Sequence, residues 1–534
     1  MRCVSYRSLG VWIGLLVMAS APVASQADKP GDVGELTRQL HVLLARIDAN
    51  LVADSEADAR AYLDARVAAR VGPVLPDIER FTRKLPDGGM QVSQYWGRAP
   101  MQAYLYFDAY DVLGDPNYLR VALDLADYYL RIQEPEGFWH FAHLVSSSGQ
   151  AKRLDHKDAP GKAVCRIQDA HQSGCFYLML HAWRVTGERK YYDSARRCAD
   201  YLRSIENANG SWPDYWIPGT ALEGRTGYAP GKAGVLIGCS YNDHATNDPL
   251  QMMIVMYHLT KDANYVARVP RIGQWIFDTQ LGQGKVRGWC QQYGLDNKPL
   301  AGRNFEGAVI ELRTFSRFIV PLCTWFYVIS GQERYLTLMQ ETADWVKSVE
   351  KPGPDGGWAY QYLCDGTPVF TVGYQTYRLD QPTTWPSSFP AKYGGIQKYS
   401  RDSGGTGGAE QIVARFRKLG LEAARASFTG PVSLTQEEYL RERLSAAKWA
   451  TDSKHLQEVR NRPLRALKPQ WEFDREDNAG RKGEVQWEYM MKVAIARGRF
   501  TPEQLAPGAP PHFAGQRLHS YKVPNWLDIP WSRK

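Results

Sequence analysis

The sequence predicts an all-α fold, an α/α toroid of tandem helical hairpins, and three observations carry that expectation. One phrase occurs four times: an apolar, aromatic helix, a short turn with a tyrosine, a second helix, and a glycine-rich exit with a tryptophan. The turns GDPNY, GERKY, KDANY and GQERY place Tyr118, Tyr191, Tyr265 and Tyr335 at spacings of 73, 74 and 70 residues. The exits GFW, GSW, RGW and GGW place Trp139, Trp212, Trp289 and Trp358 at 21, 21, 24 and 23 residues after those tyrosines, room for one helix of four or five turns and a loop. The helix before each turn, such as CFYLMLHAWRVTG, is apolar nearly all round; the one after, such as YYDSARRCADYLRSIE, has a polar face. An all-round apolar helix is buried and an amphipathic one covers it, so stacked hairpins with inner and outer helices follow.

Around this repeat the rest of the chain falls into place. Residues 1–27 have the layout of a secretory signal peptide: two arginines, an apolar run of about sixteen residues, then small residues before Asp28. The run is too short for a membrane span and Cys3 precedes it, so an exported protein, secreted or periplasmic and without a membrane span, is expected. Residues 28–399 form the toroid, with further helical stretches at about 34–50 and 55–70. The glycine- and serine-rich stretch 400–411 is expected to be a linker, and 412–534 a basic extension, helical and then irregular.

The formal net charge is +8, but residues 410–534 hold 22 Lys and Arg against 15 Asp and Glu, so the surplus sits in the extension. No basic pattern supports nucleic acid binding, and a monomer is expected. Seven cysteines follow residue 27, with no CxxC pair, which is not the pattern of a disulfide scaffold. Aromatics reach 12% of the chain, enough for a large core and for rings that stack on sugars.

Function is expected where outer helices return to inner ones. These connections run for roughly twenty to thirty residues, well beyond the usual loop length, and long loops on a rigid scaffold carry sites. CRIQDAH (165–171) and CSYNDHA (239–245) lie one repeat apart and set Asp169 and Asp243 each four residues after a cysteine. RNFEGAVIELR brings Arg303, Glu306, Glu311 and Arg313 to a similar phase. Repeats curling into a ring aim such positions at one cleft, where Asp169, His171, Asp243, His244 and Arg303 would meet. Asp169, Asn242 and Asp243 equally suit helix N-caps, and His171 suits packing.

The run DAHQSGCFYLMLHAWRVTGERKYYDSARRCADYLRSIENANGSWPDYW, then SYNDHATND, then GKVRGWCQQYGLDNKPLAGRNFE, resembles the pectate lyases of polysaccharide lyase family 10, the pectic acid lyases, over about residues 92–380. The resemblance implies an α/α toroid that cleaves an acidic polysaccharide by β-elimination with calcium assisting. It implies that Asp169 and Asp243 bind calcium and substrate and that Arg303 holds a substrate carboxylate. Glu306, Trp289, Gln291, Trp212 and His171 complete the expected substrate-binding set. The sequence departs from the family at Ala170, where an asparagine is usual, and at His244, where a second aspartate is usual. Two arginines expected after Trp358, one of them the base, are replaced by Tyr360 and approximately Gly373. His244, Tyr360 and Arg378 are therefore the candidate bases, histidine having the ordinary pKa best suited to the task. Two other classes fit the same fold: a glycoside hydrolase using Asp169 and Asp243 as its acid pair, and a glycan-binding protein without catalysis.

Overall fold

The structure is a computed structural model that describes residues 33–76, 82–94, 97–157, 159–220, 223–226, 237–386, 398–424, 434–461 and 479–505. The expected signal peptide and the irregular chain end lie outside the described residues.

The repeat becomes four hairpins. Inner helices span Arg98–Leu113, His171–Thr186 and Asn247–Thr260, and the fourth comprises Leu312–Thr314, a wider π-helical turn Phe315–Ile319, and Val320–Ser330. Outer helices span Pro116–Arg131, Arg189–Ser204, Val269–Asp278 and Arg334–Ser348. Each inner helix packs on its own outer helix or the preceding one, and the first three inner helices pack in series, which makes the α/α toroid. The second inner helix is buried at every position from His171 to Ala182, as its apolar circumference requires.

Each turn closes on a left-handed residue, Gly114, Gly187 and Gly331 in three hairpins and Lys261 in the other. Glycine is free to adopt that conformation and satisfies the last helical carbonyls. The turn tyrosines have a common task in three hairpins. Tyr118, Tyr191 and Tyr265 donate to Asp64, Asp127 and Asp200 at 3.1, 2.9 and 2.7 Å, the first aspartate on helix Ala49–Ala68 and the other two on the preceding outer helix. The exit tryptophans share another: the indole N–H groups of Trp139, Trp212, Trp289 and Trp358 donate to Tyr129, Leu202, Ile276 and Val346 carbonyls at 2.7–2.8 Å.

Short antiparallel strands, which the helical periodicity does not reveal, decorate the opposite end. The segment entering each inner helix pairs with the segment leaving the following exit tryptophan: Met90–Ser93 with Ala142–Val145, Cys165–Arg166 with Tyr215–Trp216, Gly238–Ser240 with Gln292–Gly294, and Ile310–Glu311 with Gln361–Tyr362. These pairings gather the long connections into one layer.

At the chain's start, Val33–Leu44 and Ala49–Ala68 form helices, the second capped by Asp48. Helix Gln436–Ala450, with a capping box from Thr435 and Glu438, packs on Val33–Leu44 and on helix Ala479–Ala496, which itself contacts Ala49–Ala68 and Arg98–Leu113. Within the stretch expected to be a linker, Gly404 lies against Leu312 and Trp358, Gly407 lies against Ser316, and a helix starts at Ala409. A Cβ at either position would come within 3.0 Å of these neighbours, closer than van der Waals contact allows, which is why both are glycine. Among the described residues no helix is long and apolar enough to cross a membrane.

Candidate active site

The connection layer brings the second, third and fourth junctions together. In the second, strand Cys165–Arg166 leads through Gln168 to Asp169 and Ala170, both left-handed at φ 60° and 55°. One repeat later Asp243 and His244 adopt the same conformation at φ 44° and 66°. Left-handed backbone costs a non-glycine residue roughly 1–2 kcal/mol, more readily met by Asp than by Ala or His. Two such pairs in the same phase are strain of the kind that clusters at functional sites. The twist also settles the capping alternative, because neither carboxylate caps an inner helix: Ala170 and Thr246 hold the cap positions, and neither makes a side-chain cap hydrogen bond.

The twist turns the two junctions toward each other. The Asp169 amide donates to the Asp243 carbonyl at 2.8 Å, and the Asn242 side chain meets Gln168, its counterpart one repeat earlier, at 3.0 Å. Asp169 is fully buried; one carboxylate oxygen accepts from Arg166 and the other, Oδ1, has no hydrogen-bond partner among the described residues. Burial, with Asp243 and Asp214 adding negative charge, raises its pKa well above the carboxylate range despite Arg166. Asp243 is partly exposed, and burial raises its pKa while Arg303, Arg166 and Arg317 pull it down and Glu306 pushes it up. Those neighbours and Asp243 itself come from three junctions and show the convergence the repeat implied.

The fourth junction supplies most of the cations. Arg303 is half-exposed and held by buried Glu306, which accepts from its Nε at 2.8 Å and from its backbone amide at 2.9 Å. Arg317 lies on the π-helical turn, and Asp243, Tyr360, Glu311 and Arg313 act on its charge. Wide turns of this type occur mostly at functional positions, because they re-aim the side chains they carry. Glu311 is buried, accepts from Gln291, and lies close enough to Tyr360 for each to act on the other's ionisation. Burial and Glu306 raise its pKa to about 8.

Asp243, Arg303, Glu306, Gln291 and Tyr360 therefore share one site, with Asp169 beneath it. His244 lies beside Asp243, its ring edge-on to Phe318 at 5.0 Å. Four expected residues belong elsewhere. Trp212 and Trp289 are 1% and 0% exposed with their indole N–H groups bound to the scaffold, so they present no face to a sugar. His171 is fully buried, and burial with Arg166 and His140 depresses its pKa, so it is a neutral core group. Arg378 stands on the outer strand of the sheet Ile310–Glu311, Gln361–Tyr362, Pro368–Val372, Gln375–Arg378, in the row Glu311, Gln361, Val369, Arg378. Three strand spacings put it about 14 Å from Glu311, and its guanidinium binds Asp380 at 2.9 and 3.0 Å. It is not positioned to act as a base.

Arg166, Asp214, Tyr215 and Arg317 are site residues that the sequence did not single out. Arg166 lies over the Tyr215 ring at 5.5 Å, and Asp214 is fully buried near Asp169. All but Arg317 fall inside the quoted CRIQDAH and NGSWPDYW stretches, so the signal was present. Arg317 needed the wide turn to be known.

Residues 133–313 match the family model described as pectic acid lyase. Among solved structures, an aspartate-to-alanine mutant of a family 10 polysaccharide lyase from Cellvibrio cellulosa, in complex with trigalacturonic acid, aligns with a TM-score of 0.38 and 15% identity over 55% of this chain and 92% of that one. The unmutated family 10 enzyme from the same organism gives 0.37 and 14% over 59% and 95%, and a D-mannose isomerase 0.37 and 10% over 73% and 100%. No curated protein matches the chain.

Proposed function

We propose, from the place of residues 133–313 in the pectic acid lyase family, that this protein is an exported polysaccharide lyase that cleaves a uronate-containing polymer by β-elimination. The observation that carries the reading is the group of arginines, Arg166, Arg303 and Arg317, brought by the second and fourth junctions around Asp243 of the third. Elimination needs a cation at the C6 carboxylate to acidify the C5 proton, a base to take that proton, and a proton for the leaving oxygen. Half-exposed Arg303, fixed on one side by Glu306, is oriented to hold the carboxylate, and fixed charges of this kind need no rearrangement during reaction. His244, partly exposed beside Asp243, is the candidate base that remains at the site and suits proton transfer. The electron pair of the C5–H bond forms the C4–C5 double bond as the C4–O bond breaks.

The calcium that the resemblance implies fits one feature, the buried Asp169 Oδ1 with no donor among the described residues, next to Asp243. Asp169 and Asp243 would hold it, although among the described residues no group of three His, Cys, Asp or Glu gathers as a metal site. When bound, the ion supplies charge that neutralises the acid pair and acidifies the bound uronate. The hydrolase alternative is disfavoured because it requires both carboxylates to face the glycosidic bond, and Asp169 is fully buried. The test is a panel of uronate polymers, with and without chelator, followed by the ultraviolet absorbance of the unsaturated uronate end. Its appearance supports the lyase; reducing ends without it favour hydrolysis, and binding with neither favours a glycan-binding protein.

A further inference from the structure

The family's expected arginines after Trp358 are absent, yet the site has a buried acid that the reaction above leaves unused. We propose that Tyr360 protonates the leaving glycosidic oxygen and that Glu311, beside it across the ladder, replaces the proton; this rests on the lyase reading. The geometry is built for it. Glu311 opens the fourth inner helix and is fixed by its strand pairing opposite Gln361, the residue after Tyr360, so the same two-stranded ladder places both members of the pair. Its amide donates to the Trp289 carbonyl at 2.9 Å, and Gln291 donates to its Oε1. Tyr360 is 6% exposed against 2% for Glu311, and the Arg313 guanidinium covers its ring at 5.6 Å.

The groups facing Glu311 are Glu306 on the loop before it, Arg303 and Arg313 on its own segment, and Tyr360 across the ladder, with Arg317 one turn on. Burial and Glu306 outweigh the arginines, so the carboxyl carries a proton through neutrality. A buried carboxylic acid kept neutral is a proton store, the arrangement that general acids use. In the step, the phenolic proton moves to the leaving oxygen, the Glu311 proton moves to the phenolic oxygen, and the carboxylate formed is reprotonated from solvent between turnovers. The C5 proton goes to the base of the elimination, so one proton enters and one leaves. Tyr360 is then the group that touches the substrate, and Glu311 supplies and positions it.

The experiment compares wild type with Glu311→Gln and Tyr360→Phe on a uronate polymer and on a synthetic uronoside whose C4 substituent is a nitrophenoxide, a leaving group that needs no acid. Wild-type turnover is expected to fall as pH rises through about 8, where Glu311 loses its proton. Glu311→Gln keeps the hydrogen bonds but holds no proton to give; its turnover on polymer is expected to drop about a hundredfold with KM little changed, and the alkaline limb to vanish. Both variants are expected to regain near wild-type rates on the nitrophenoxide substrate, which also shows that they are folded. Wild type forming unsaturated product while Glu311→Gln keeps both its rate and its alkaline limb overturns the assignment alone. Wild type forming no unsaturated product on any uronate polymer overturns the lyase reading beneath it.

Discussion

Two sets of residues recur once per hairpin with the same period: the exit tryptophans and the polar residues before the inner helices. The tryptophans are core pieces. Each sends its indole N–H to a carbonyl at the end of the preceding outer helix, and each does so alone, hairpin by hairpin. The junction residues act across hairpins. Asp169 binds the backbone of Asp243, Asn242 reaches back to Gln168, and Arg303 and Arg317 bear on Asp243 from the fourth junction. Recurrence thus signals a repeated structural need in one set and a shared destination in the other. What separates them is the bonding: the tryptophans bond within their own repeat, and the junction residues bond across repeats.

The largest effect should come from the scaffold. Trp212→Ala removes a ring that is 1% exposed and is expected to cost about 3–5 kcal/mol, read as a lowered melting temperature or denaturant midpoint. An unchanged midpoint would return Trp212 to the substrate-facing set.

Asp169→Asn should separate the two kinds of residue by sign. The folded-state pKa of Asp169 lies above its unfolded value, so the folded chain holds the proton longer. Its contribution is fully present below the unfolded pKa of about 4 and is lost as pH rises toward the folded value. Asp169→Asn should therefore melt above wild type at neutral pH, with the gap closing near the unfolded pKa, while turnover falls about a hundredfold because Arg166 and Asp243 lose their alignment. A variant less stable than wild type at neutral pH would make Asp169 scaffold after all.

The smallest effect should be at Arg378. Its exposed pair with Asp380 is worth little, so Arg378→Ala is expected to change stability by less than about 0.5 kcal/mol and to leave turnover as it is. A large loss of turnover would reinstate it as the base.

The hairpins, their turns and their exits were legible in the sequence because helix periodicity and the Gly and Trp punctuation are local properties. Asp169, Asp243 and Arg303 were legible because they repeat. What the sequence hid depends on how one repeat meets the next. Trp212 and Trp289 look like sugar platforms until the indole bonds are seen. Arg378 looks near Tyr360 in sequence but is carried away by two strand pairings. Arg317 reaches the site through a π-helical turn, and the Glu311–Tyr360 pair through a two-residue ladder, neither of which has a sequence period.

The claim on which the rest depends is that acids and arginines from separate repeats act as one site. A double-mutant cycle of Asp243→Asn and Arg303→Ala, followed by kcat/KM for unsaturated product, tests it directly. The account predicts strong coupling, with the double variant little worse than the poorer single variant and an interaction free energy of about 1 kcal/mol or more. Losses that simply add within experimental error would contradict it.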